Sequence, residues 1–179
     1  SSYVQKKYIY TVGVNDMIKI FITGIVASGK TTLARKISKQ LDIPFYELDC
    51  IVHVKTENGR YKRTPEEQVK EIQRINDFGD WIIEGTPRES CRCLFDLADK
   101  VVYLDPPLWI RKKRILTRFI KQQLHIESCH YTSNLHMLKM MFKWTRDFEN
   151  NREQFEKKLK IYNDKLIKIT NDKDFNLTL

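Results

Sequence analysis

The chain has 179 residues, 41% of them hydrophobic, with 32 Lys or Arg against 23 Asp or Glu and a formal charge of +9. That apolar content can bury the core of one compact domain, and no run approaches the roughly 18 apolar residues of a membrane span. The positive balance suits phosphorylated ligands, nucleic acid or plain solubility.

Residues 1–16, ahead of Met17, are an N-terminal extension to which no function is given. It is open whether they are a vector remnant, an upstream start or an extra edge strand through Tyr8 to Val12. Residues 17–179 are expected to form the main domain. The run Ile18 to Thr23 is β-branched and aromatic like a buried parallel strand, and Thr32 to Leu41 places Leu33, Ile37 and Leu41 at helical spacing. Between them, Gly24-Ile25-Val26-Ala27-Ser28-Gly29-Lys30-Thr31 fits the phosphate-loop pattern G-x-x-x-x-G-K-[ST] in the strand-to-helix setting its chemistry requires.

Further along, Phe45 to Leu48 after Pro44 reads as a second strand ending at Asp49. Thr64-Pro65-Glu66-Glu67 supplies an N-cap, a Pro at the first helical position and first-turn acids, so a helix is expected to about Asn76. Trp81 to Glu84 is a third strand and Lys100 to Leu104 a fourth. After Pro106 and Pro107 come a long helix, a polar segment from about Gln122 to Ser133, and more helix to about Tyr162. Leu166 to Thr170 is a possible last strand, followed by a short tail. Strand and helix signals alternate as in a parallel sheet covered on both faces.

Each residue of the phosphate loop has an expected task. Gly24 and Gly29 let the backbone turn so that the amides of Ala27, Ser28, Gly29, Lys30, Thr31 and Thr32 face an anion at a helix N-terminus. Lys30 reaches the β- and γ-phosphates of ATP, and Thr31 offers its hydroxyl to Mg²⁺. Glu84, closing the third strand, is placed to orient a magnesium-bound water. Arg88 beyond it can grip a substrate phosphate or carboxylate with a bidentate fork. Asp49 can accept the proton of an attacking hydroxyl or touch Mg²⁺ through water. Residues 106–126 hold six cations and no acid. At about 100° per residue, Arg111, Arg114 and Arg118 share one face, beside an apolar stripe of Leu108, Ile115 and Phe119. Arg114 and Arg118 are thus expected to stabilise the charge of a transferring phosphoryl group.

Other signals carry less. Asp77-Phe78-Gly79 spells a protein-kinase metal motif but closes a helix, with Gly79 a natural C-cap, and the companion elements are missing. His125, Cys129, His130 and His136 follow no standard zinc spacing. Cys50, Cys91, Cys93 and Cys129 form no C-x-x-C pair in a chain without a secretory signal, so reduced thiols and a cytoplasmic setting are expected.

Gly24 to Thr32, Glu84-Gly85-Thr86-Pro87-Arg88 and the Arg114/Arg118 helix resemble adenylate kinase and its relatives. From Met17 onward the chain resembles more closely the small kinase-like group named topology modulation protein (FlaR type). That likeness rests on Ile43 to Asp49, Trp81 to Gly85, Val102 to Pro107 and the aromatic, basic helix around Leu138 to Phe148. The resemblance implies an α/β P-loop NTPase with a five-stranded parallel sheet of nucleoside-monophosphate-kinase order, a small helical lid at about 121–133, and ATP as donor. Glu84 and Thr86 replace the Asp and the aromatic of the adenylate kinase run, which argues against AMP as the acceptor.

Two functions follow. The first is Mg²⁺-dependent transfer of the ATP γ-phosphoryl group to a small nucleoside, nucleotide or sugar-like acceptor. The alternative is a nucleotide-dependent, DNA-binding regulatory NTPase affecting DNA topology, although no helix-turn-helix, zinc-finger or RNA-binding signature appears.

Overall fold

The computed structural model describes residues 8–11, 17–57, 59–124, 134–171, 173 and 175–178. In chain order the elements are β1 (Tyr8–Thr11), β2 (Lys19–Thr23), α1 (Lys30–Leu41), β3 (Phe45–Glu47), α2 (Leu48–Val52), β4 (His53–Thr56), β5 (Gly59–Lys62), α3 (Pro65–Phe78), β6 (Trp81–Gly85), α4 (Cys93–Leu97), β7 (Lys100–Leu104), α5 (Leu108–Gln123), α6 (Leu135–Leu159), β8 (Leu166–Ile169) and β9 (Phe175–Thr178). Short 3-10 turns precede α4 and follow α6.

Five strands form one sheet in the order β3-β6-β2-β7-β8, and every neighbouring pair is parallel. The central position goes to β2, whose residues Ile20 to Thr23 are all buried. Side chains alternate between the two faces of the sheet. Ile20, Ile22, Ile82, Val102 and Leu104 pack with Leu33, Ala34 and Ile37 of α1, while Phe21, Trp81, Ile83, Val101 and Tyr103 pack with α2, α3, α4 and the end of α6. Each fully buried Leu or Ile contributes about 2 kcal/mol, which holds α1 on the sheet although its exposed face is polar.

The doubly wound sheet expected from the alternating signals is therefore present, in nucleoside-monophosphate-kinase order. The expected start of α3 is also present: Thr64 Oγ1 accepts from the Glu67 amide at 3.3 Å, and the Glu67 carboxylate accepts from the Thr64 amide at 2.8 Å. Gly79, at φ +130°, ends that helix just after Asp77 and Phe78.

Four details differ from the sequence expectations. The second strand stops at Glu47, and Leu48 already belongs to α2, because an apolar Leu48-Asp49-Cys50-Ile51-Val52 run also buries Leu48, Ile51 and Val52 as a single helical turn. The antiparallel hairpin β4–β5 was not foreseen; its β5 strand is exposed throughout. The polar segment begins later than expected, since α5 continues to Gln123 with Gln122 buried. The expected C-terminal tail contains β9, which pairs in parallel with β1 in a separate two-stranded ladder. Of the expected lid, residues 121–123 close α5, and 125–133 lie outside the described residues.

A close approach at the carboxyl end of β6 sets its distance from α2. A Cβ on Gly85 would lie 2.4 Å from Leu48 Cβ. Gly85→Ala should therefore cost about 1–3 kcal/mol, read as a lower urea midpoint at unchanged slope; an unchanged midpoint would mean that α2 moves away freely.

Candidate active site

The sheet delivers its functional side chains at the carboxyl ends of its strands, where an open parallel sheet leaves a crevice. β2 ends at Thr23 and the chain turns at once through Gly24 to Gly29 into α1. Gly24 sits where a Cβ would meet the Leu104 carbonyl oxygen at 2.5 Å, and Gly29 has φ +103°. Ala27 also adopts the left-handed region, at φ +59°. The first turn of α1 has neither an acidic residue nor a side-chain cap, so its leading amides are free of both. Arg114 donates to the Ser28 carbonyl at 2.6 Å and reaches the Ala27 carbonyl at 3.5 Å, pinning the outer side of the loop to α5.

Lys30 and Thr31 lie at the floor of this loop. The Lys30 ammonium donates to the Ile25 carbonyl at 2.9 Å, and the Thr31 hydroxyl donates to Glu84 Oε1 at 2.7 Å. Burial lowers the Lys30 pKa, opposed by the charges of Glu84 and Asp49 and assisted by Arg118. Burial also raises the Glu84 pKa, opposed by Lys30 and the Thr31 hydrogen bond, and Glu84 is only 6% exposed. Ser28 Oγ is buried and has no hydrogen-bond partner among the described residues. Open leading amides, an uncapped helix start and a buried ammonium fit a polyphosphate, and the Thr31–Glu84 oxygen pair fits a hard cation such as Mg²⁺.

The remaining expected residues arrive from neighbouring elements. Asp49, in the first turn of α2 rather than at a strand end, forms an ion pair with Arg88, which follows Pro87 after β6. Arg118 is exposed on α5, near enough for its charge to reach Lys30. Thr32 is exposed on α1. Arg111 departs from the shared cationic face. It is wholly buried, donates to the Pro106 carbonyl at 3.2 Å and pairs with Glu149 of α6, so it props two helices apart from the loop. His136 is exposed near the start of α6, while His125, Cys129 and His130 lie outside the described residues.

Two features were not found by reading the sequence. The Thr86 hydroxyl donates to the Gly24 carbonyl at 3.2 Å, tying the loop after β6 to the phosphate loop. A cavity of about 270 Å³ opens beside Gly24 and Ile25, walled by the 86–89 loop, α4 and aromatic residues of α6. Its one sequence signal was the spacing of Phe148, Phe155 and Tyr162 at intervals of seven, which alone reads as core.

No family model matches the chain. Among curated proteins it is similar to shikimate kinase of Bacteroides fragilis, 32% identical over 91 residues, which are 45% of this chain and 48% of that protein. It is also similar to shikimate kinase of Bacteroides thetaiotaomicron, 28% identical over 118 residues, 55% of this chain and 65% of that one. The chain thus spans about half to two thirds of the curated relatives it matches. Among solved structures, shikimate kinase from Bacteroides thetaiotaomicron superposes with a TM-score of 0.52 at 16% identity, covering 88% of each chain. Shikimate kinase from Acinetobacter baumannii in complex with shikimate gives 0.51 at 17% identity, covering 87% of this chain and 84% of that one. The architecture is that of the P-loop kinases: a five-stranded parallel sheet flanked by helices, with the phosphate loop leaving its central strand. No helix among the described residues is long and apolar enough to cross a membrane.

Because Glu84 is held above its ordinary pKa, the folded chain keeps that proton to higher pH than the unfolded chain does. Its contribution to stability is full below the ordinary carboxylate range and is lost as pH rises through the folded-state value. Lys30, shifted down by burial, acts in the opposite sense, its contribution being lost as pH falls through its folded-state value. Glu84→Gln should flatten the fall of the thermal midpoint as pH rises above the ordinary carboxylate range and match or exceed the wild type at pH 7. A variant less stable than the wild type at pH 7 but not at pH 5 would show that the carboxylate is favoured in the fold.

Proposed function

We propose that this chain is an ATP- and Mg²⁺-dependent phosphotransferase that moves the γ-phosphoryl group of ATP onto a hydroxyl of a small nucleoside, nucleotide or sugar-like acceptor. The observation that carries the reading is the open, uncapped N-terminus of α1 at the mouth of the central strand, with Lys30 and the Thr31–Glu84 pair beside it. The partial likeness to shikimate kinases supports a small hydroxyl-bearing acceptor. The finer likeness to the topology modulation protein group rests on the sequence runs named above.

Bound Mg²⁺ and ATP supply the transferable phosphoryl group and a divalent charge on its oxygens. In the proposed division of labour, Gly24, Ala27, Ser28, Gly29, Lys30, Thr31 and Thr32 hold the polyphosphate. The Lys30 ammonium leaves the Ile25 carbonyl for phosphate oxygens, a stronger, charge-assisted bond. Thr31 ligates the metal and Glu84 orients one of its waters. Asp49 accepts the acceptor's hydroxyl proton as the new oxygen–phosphorus bond forms and the bond to the β-phosphate bridging oxygen breaks, releasing ADP. Arg88, already paired with Asp49, fixes an anionic group of the acceptor. Arg114 and Arg118 face the developing charge, Arg114 also through its hold on the loop. Residues 1–16 stand outside this scheme, and we place the protein in the cytoplasm, where ATP and reduced thiols coexist. The alternative DNA-binding reading rests on net charge alone.

An ADP-release assay over nucleosides, nucleotides and sugars tests the reading. Lys30→Ala should lower turnover at least about 100-fold with a thermal midpoint near wild type, since among the described residues its ammonium donates to one carbonyl, that of Ile25. Arg114→Ala and Arg118→Ala should each lower turnover at least about tenfold. Full turnover in Lys30→Ala would end the assignment.

A further inference from the structure

The cavity beside the phosphate loop has a chemical character of its own. Phe148, Phe155 and Tyr162 come two helical turns apart, so they form one stripe along α6 and the turn after it. All three are only partly buried and line the open space. Each ring is held by another: Tyr162 stacks on Phe95 at 5.1 Å and 19°, and Phe148 meets Phe155 edge to face at 5.4 Å and 63°. Walls of mutually braced rings present fixed faces and edges to a guest, the geometry that a flat or puckered ring satisfies better than an open chain.

The rim is charged. Among the described lining residues Arg88, Arg92 and Lys158 face one carboxylate, Glu89, and Arg88 is paired with Asp49. Arg92 and Glu89 are 3.9 Å apart and both largely exposed, a weak pair that leaves the rim cationic. Tyr162, which lines the cavity with Arg92, raises the pKa of that guanidinium, so the rim adjoins the aromatic wall. The inner end is formed by Gly24 and Ile25, and the Ile25 carbonyl holds the Lys30 ammonium. A guest in the cavity is therefore separated by Ile25 from the lysine proposed to meet the phosphates.

We infer that this cavity is the acceptor-specificity site, and that the acceptor is a ring-bearing small molecule carrying a carboxylate or a phosphate. The ring lies against the Phe148–Phe155 and Phe95–Tyr162 pairs, the anion meets Arg92 and Lys158 alongside Arg88, and a hydroxyl points to Gly24 and Ile25. This deepens the phosphotransferase reading and rests on it.

Calorimetric titration of four probes tests the inference: AMP and shikimate, which combine ring and anion; adenosine, which lacks the anion; and gluconate, which lacks the ring. Each is titrated with and without a non-hydrolysable ATP analogue and Mg²⁺. At least one ring-and-anion probe should bind about tenfold or more tightly than both adenosine and gluconate. Comparison of AMP with shikimate assigns the anion as phosphate or carboxylate. The double variant R92E/K158E changes two exposed rim residues, and should weaken that probe at least about tenfold without altering the thermal midpoint or the affinity for the ATP analogue. Absence of binding by both ring-and-anion probes in both conditions, or affinity kept within about twofold in the double variant, overturns the inference. Failure of the ATP analogue to bind would instead overturn the donor reading, while the shikimate titration without nucleotide still decides the cavity.

Discussion

A helix that begins without a cap leaves several backbone amides in want of an acceptor, and in this protein that helix is α1, set at the mouth of the central strand. The residues around it are arranged to keep the deficit open. Gly24 passes so close to the Leu104 carbonyl that no side chain fits, and Ala27 takes a left-handed turn. Arg114 occupies the Ala27 and Ser28 carbonyls from outside. Carbonyls are thereby drawn toward α5, and the donor side of the loop is left for an anion.

The charges beneath the loop balance only in part. Lys30 and Glu84 are each pushed by burial toward their neutral forms and pulled by one another toward their charged forms. Among the described residues neither has a full set of hydrogen-bond partners: Lys30 has one carbonyl, and Glu84 has one hydroxyl. Such a pair costs the free protein stability, and a polyphosphate with a divalent cation supplies what each group lacks. Stability given up in the free state is the physical mark of a site shaped for a bound one.

How much of this could be read from the residues depended on how local the signal was. The phosphate loop, the five main strands and the Thr64–Glu67 cap are each encoded within a few consecutive positions, by glycines, β-branched runs and a four-residue box, and all appear where expected. The short helix at Asp49 did not announce itself, because one turn of helix and the end of a strand bury the same number of apolar side chains over five residues. The β4–β5 hairpin was illegible for the opposite reason: β5 is exposed on both faces, so it has no apolar alternation to detect. The β1–β9 ladder joins the two ends of the chain, and no local pattern can report a pairing across so many residues.

The basic helix shows where periodicity stops being informative. A wheel places Arg111, Arg114 and Arg118 on one arc, yet their environments diverge because that arc crosses the seam between α6 and the phosphate loop. Arg111 is buried against α6 through Glu149, a contact shared by Arg152, whose guanidinium also meets Asp105 at 2.6 Å just after β7. Both arginines lie over the Phe148 ring, at 5.8 and 5.2 Å. One turn further along α5, Arg114 holds the loop itself. A single rigid helix thus connects the phosphate cradle to the aromatic stripe of α6. Any displacement of α6 that carries Glu149 must either break a buried ion pair, a costly event, or move α5 and with it the carbonyls of Ala27 and Ser28. The aromatic wall of the cavity and the phosphate loop are therefore linked by one continuous run of contacts through Arg111 and Arg114.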